Sequence, residues 1–130
     1  MFQSKDPSGF IGYPVWDIGK IKLCTALETN RVYPEIMKNA PDPIKRCLDF
    51  GSIPLEDKFI TVEPIMDFDL KSLVEMIHFC RPQQVNIGAD SMGKKLPEPP
   101  AEKVRDLIEA LSEFTDIKEK KNLNRLINIQ

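Results

Sequence analysis

The chain has 130 residues, a formal net charge of -2, 42% hydrophobic and 29% charged residues. That length fits one domain, and that balance supports a packed core rather than a disordered chain. The near-neutral charge gives no reason to expect nucleic acid or an anionic membrane surface as partner, and no apolar run approaches the roughly 18–20 residues that span a bilayer.

Met1–Ser4 reads as the remnant of a strand, and it lacks the basic and apolar regions of a secretory signal. The loop after it holds Gly9, Phe10, Gly12, Tyr13 and Trp16. Its glycines do not form a phosphate-loop pattern, and its aromatic residues suit local packing. Lys20–Leu27 is the first full strand and ends in Glu28-Thr29-Asn30. Two helix starts follow, each with proline in the first turn: Pro34, and Pro43 after the cap candidate Asp42. The second should run to Phe50, with Gly51 as its stop.

Lys58–Val62 is the next strand and ends in Glu63-Pro64. Asp67 or Asp69 can cap the helix Leu70–Cys80, whose apolar face is Leu70, Leu73, Val74 and Ile77. Gln84–Ile87 is a third strand, leading into Gly88-Ala89-Asp90-Ser91. A helix over Ala101–Phe114 carries Val104, Leu107, Ile108 and Leu111 on one side, with Lys103 and Arg105 as exposed residues. Asp116–Lys120 is a last short strand. Strands alternating with helices imply an α/β fold of parallel strands joined by right-handed crossovers.

Side chains alternate across a strand. Leu23, Thr25 and Leu27 therefore oppose Cys24, Ala26 and Glu28, and Ile60 and Val62 oppose Thr61 and Glu63. Val85, Ile87 and Ala89 oppose Asn86, Gly88 and Asp90, while Ile117 opposes Lys118 and Lys120. The more apolar set suits the helix side. The other set grows more polar toward each strand's C-terminal end, where ligands bind in parallel α/β proteins. Buried acids there need cations, donors or water, and Lys118 and Lys120 are the expected counter-charges. The competing reading is that the acids only cap helices and loops.

His78 is the sole histidine and falls within a helix, away from the strand ends, so a nucleophile with a histidine base is not expected. Cys24, Cys47 and Cys80 have no compact metal-ligand spacing. Their odd number, without a secretory signal, suggests reduced and buried thiols in the cytoplasm.

Five motifs occur in order: Phe2-Gln3-Ser4-Lys5-Asp6-Pro7, Ala26-Leu27-Glu28-Thr29-Asn30, Thr61 to Asp69, Asn86 to Ser91, and Lys118-Glu119-Lys120-Lys121-Asn122-Leu123. Together they resemble a poorly characterised family of phage and prokaryotic proteins related to the radical S-adenosylmethionine enzymes. The resemblance implies a partial (β/α) barrel with S-adenosylmethionine across the strand C-termini. By it, Glu28, Asn30, Glu63, Asn86, Asp90 and Ser91 are the cofactor-binding candidates, and Ser4, Lys5, Asp67, Lys118 and Lys120 the substrate-side candidates at the same edge. In the wider superfamily a CxxxCxxC loop holds an iron–sulfur cluster. This sequence has no such triplet, so the chain is expected to lack the cluster loop and the first βα units, and not to ligate the cluster. An N-terminal half-barrel polypeptide, or a second copy of the chain, is then the expected partner, alongside a small-molecule ligand. The alternatives are a non-enzymatic nucleotide-binding module, and a metal-dependent hydrolase with Glu28, Glu63 and Asp90 around an ion such as Mg²⁺.

Overall fold

The structure, a computed structural model, describes residues 2–3, 23–54, 57–90, 93 and 95–127. Ser4, Lys5, Ser91, the segment with Phe10, Tyr13 and Trp16, and the expected start of a strand at Lys20 lie outside the described residues.

Among the described residues five strands form one sheet in chain order: β1 Phe2–Gln3, β2 Leu23–Ala26, β3 Lys58–Val62, β4 Gln84–Ile87 and β5 Asp116–Glu119. Every neighbouring pair is parallel. The helices are α1 Pro34–Met37, α2 Pro43–Gly51, α3 Leu70–Cys80, α4 Ala101–Leu111 and α5 Asn124–Ile127, the last entered through a 3₁₀ turn at Lys121–Leu123. A strictly sequential parallel order with right-handed crossovers carries the long helices to one face. There α2 packs on α3 and α3 on α4. This is a partial (β/α) fold, and it does not close into a barrel.

The helical periodicity sets what is buried. Cys47 and Phe50 of α2, Leu73, Ile77 and Cys80 of α3, and Val104, Leu107 and Leu111 of α4 face the sheet. They meet Leu23, Ile60, Val62, Val85 and Ile87 in one core. Full burial of each such aliphatic side chain contributes roughly 1.5–3 kcal/mol. Of the expected α3 stripe, Leu70 and Val74 are only partly buried, as is Ile108 of α4.

Pro34 and Pro43 do open α1 and α2. The cap candidates Asp42 and Asp69 stand at the N-cap positions but make no side-chain capping bond. Helix α4 stops at Leu111, short of Phe114, and continues as turns in which the Phe114 and Thr115 N–H groups donate to Leu111 O, each at 3.1 Å. The Glu63–Pro64 peptide is cis.

Candidate functional site

Register puts Ala26 beside Thr61, Thr61 beside Asn86, and Asn86 beside Lys118. This row lies on the sheet face opposite the helices, as strand alternation requires. The Cys24 thiol on the same face is 3.2 Å from the Thr61 hydroxyl, and the Gln84 amide donates to Asn86 Oδ1 at 2.7 Å. Two residues further along each strand the alternation returns Glu63, Gly88 and Lys120 to this face.

Lys120 Nζ at the end of β5 donates to Glu63 Oε1 at the end of β3, at 2.7 Å. The contact spans β4, and it can do so because β4 continues as Gly88. A Cβ at residue 88 would lie 2.5 Å from Glu63 Oε2 and 3.1 Å from Asn122 Oδ1. Asn122, from the 3₁₀ turn, completes the cluster. Its Oδ1 accepts from the Ala89 N–H at 3.0 Å, and its Nδ2 donates to Ala89 O at 2.8 Å and to Glu63 Oε2 at 3.4 Å. The amide thus pairs with the backbone after β4 as another strand would, and presents its remaining N–H to the carboxylate.

A cleft of about 620 Å³ adjoins this cluster, lined by Asp90, Lys95, Leu96, Glu98, Asn122 and Arg125. Arg125 grips Glu98 through both terminal nitrogens and donates to Asp90 O at 3.1 Å. The Glu98 carboxylate holds the Arg125 proton more firmly than usual.

The other candidates gather elsewhere. Glu28 is buried and accepts from Arg46 Nη1 at 2.8 Å. Asn30 and Asp67 join a clasp between the loops after β2 and β3. Arg31 donates to Asp69 at 2.9 Å and to Asp67 at 3.1 Å, and Asn30 exchanges hydrogen bonds with the Asp69 N–H and carboxylate. Lys103 donates to Asp67 Oδ1 at 2.7 Å and to Phe68 O at 2.8 Å, so it is not the exposed helix residue that the pattern implied. Burial pushes the Asp67 carboxyl up, but the Lys103 hydrogen bond, the Phe68 N–H and the charges of Lys103 and Arg31 hold it below the usual range. Hydrogen bonds from Arg31, then Asn30, lower Asp69 to about 2.

One rim therefore carries three separately paired groups. Asn86 is half-buried, and Lys118 is exposed. Lys118 is not the counter-charge expected of it; Lys120, Arg46, Arg31 and Lys103 fill that role. Arg46 was legible as a basic residue on the Pro43, Cys47, Phe50 stripe of α2. Asn122 stands in the fifth motif, but no spacing pointed to its role, since its partners are the Ala89 backbone and the Glu63 carboxylate of other elements.

The expected divalent-ion site takes no support from this pairing. Glu28 and Glu63 each carry a basic partner, and among the described residues no three His, Cys, Asp or Glu side chains converge to hold a metal. The cysteines likewise do not suit an iron–sulfur cluster. Cys47 and Cys80 face each other between α2 and α3, while Cys24 lies on the other side of the sheet beside Thr61. No family model matches the chain, and no curated protein or solved structure is detectably similar to it.

Proposed function

We propose that the chain is the later, ligand-holding part of a radical S-adenosylmethionine-like barrel, and that it binds a zwitterionic nucleoside of that class at its strand C-termini. The observation that carries the reading is the Glu63 carboxylate laid across Gly88 between Lys120 and Asn122. An acid at the mouth of a parallel sheet accepts bonds from ribose hydroxyls. The adjacent Lys120 ammonium suits the ligand's carboxylate, and the amide edge of Asn86 suits a base or ammonium group. The cleft beside it, with Arg125 and Asp90, gives a bound nucleoside room to extend. The order of the sequence motifs supports the same ligand class.

The described cysteines lie on opposite sides of the sheet and do not converge on one cluster. In this reading a cysteine-bearing N-terminal half-barrel polypeptide supplies the cluster, and the present chain binds and orients.

Titration calorimetry with S-adenosylmethionine and S-adenosylhomocysteine tests the proposal. Saturable binding is expected, weakened tenfold or more by Glu63→Gln, a loss of about 1.4 kcal/mol. Asp49→Asn on α2, where the carboxylate pairs with Lys45 and not with the rim, should leave it unchanged. No heat from either ligand, or equal binding by Glu63→Gln, would overturn the reading.

A further inference from the structure

We propose that Cys47 and Cys80 form a modification site, a dithiol between α2 and α3 that a hydroperoxide converts reversibly to a disulfide. This inference is independent of the ligand site at the strand ends.

The two thiols are 33 residues apart in sequence, and their Sγ atoms are 3.6 Å apart. Cys80 Sγ also donates toward Cys47 O at 3.4 Å, and Cys47 Sγ toward Met76 O at 3.2 Å. A disulfide needs the sulfurs at about 2.05 Å, so closure requires an approach of roughly 1.5 Å, within reach of small rotations of two side chains on packed helices. The third thiol, Cys24, has no such partner geometry: it sits across the sheet against Thr61.

Access is unequal. Cys47 lines a groove of about 350 Å³ between α2 and α3, with Ile44, Leu48, Ser72, Met76 and Phe79 around it. Cys80 is completely buried behind it. Their acidities differ in the same sense. The hydrogen bond from Cys80 and the charge of Lys58 favour the Cys47 thiolate against its burial. The hydrogen bond to Cys47 and burial push the Cys80 thiol up. Lys58 is held in place by Phe50 O and Ile53 O, each at 3.2 Å.

This asymmetry assigns the steps. The Cys47 thiol gives up its proton and the thiolate attacks hydrogen peroxide; an S–O bond forms, the O–O bond breaks, and the departing hydroxide takes up that proton and leaves as water. The resulting sulfenic acid is attacked by Cys80 sulfur; the S–S bond forms, the S–O bond breaks, and the departing hydroxide takes the Cys80 proton as a second water. Two thiols lose two electrons in all, and the peroxide gains them.

The folded chain treated with hydrogen peroxide should lose two hydrogens by intact mass. A non-reducing peptide map should show Cys47 joined to Cys80 and Cys24 still alkylatable. Dithiothreitol should reverse the change, and the oxidised form should melt at higher temperature than the reduced one. Cys80→Ala should stop at a Cys47 sulfenic acid that dimedone captures. The proposal is overturned if the linked peptide is absent from the wild-type folded chain or appears only in urea. It is also overturned if dimedone labels Cys24 instead of Cys47. The wild-type map decides the matter even where a cysteine variant does not fold.

Discussion

Arg46 is a fully buried guanidinium on a helix face that otherwise holds Pro43, Cys47 and Phe50. Its Nη1 donates to Ala26 O and Glu28, and its Nε to Pro41 O at 2.9 Å; Nη2 meets no partner among the described residues. One side chain thus ties α2 to the end of β2 and to the loop before the helix. Removing one member of a buried pair costs far more than the net value of the pair, because the other charge stays desolvated. Arg46→Met should therefore lower stability in urea by about 3 kcal/mol, and adding Glu28→Gln should restore part of it. Equal losses in the single and double variants would show that the pairing itself matters little. Gly88 poses the opposite case. A methyl group added at this position displaces the end of a flexible glutamate rather than backbone. Gly88→Ala should therefore cost under about 1 kcal/mol of stability, the value of a half-exposed ion pair. Ligand binding at the rim, read by calorimetry, should nevertheless be lost. A variant that binds normally would remove Glu63 from the site.

At the scale of elements, Leu27, Ile65 and Phe68 seat the loops after β2 and β3 in the core, and charge joins the two loops to each other. Arg31 spans Asp67 and Asp69, Thr29 and Tyr33 donate to Asp67 O, and Lys103 closes the group from α4. Both aspartates are lowered in the fold, Asp69 to about 2, against an unfolded value of about 3.9. A lowered carboxyl stabilises the fold above its unfolded pKa, and that contribution is lost as pH falls through the folded value. Thermal midpoints should therefore drop between about pH 4 and pH 2, and drop less steeply in Asp69→Asn; parallel profiles would count against the clasp. Such a clasp marks the limit of what the sequence discloses. The strands Lys58–Val62 and Gln84–Ile87 and the helix Leu70–Cys80 stand where alternation and helical period placed them, because burial on one face dictates both. The polar set at the strand ends was legible as a set for the same reason. Its division into three groups was not, since Arg46, Arg31, Lys103 and Asn122 reach it from α2, a loop, α4 and a 3₁₀ turn, and no spacing along the chain encodes those meetings.

At the scale of the molecule, an unclosed parallel sheet leaves the outer side of β5 without a strand partner among the described residues. Unpaired strand edges invite pairing with other chains, and charged side chains are the usual protection. Asp116, Lys118 and Glu119 are all exposed around the single half-buried Ile117. They make β5 a poor template in spite of its open ladder, whereas β2 to β4 are shielded by strands on both sides. The protection is local chemistry, and exchanging it for apolar β-formers should reverse it. Asp116→Val with Lys118→Val leaves the net charge unchanged and creates a run of three β-branched residues at positions 116–118. Sedimentation velocity should then show association that rises with concentration. Lys71→Val with Glu109→Val adds the same two side chains at exposed positions on α3 and α4, again without change of net charge, and should sediment as the parent chain does. If the two double variants associate equally, apolar surface anywhere suffices, and the charges of β5 have no special part in keeping its edge free.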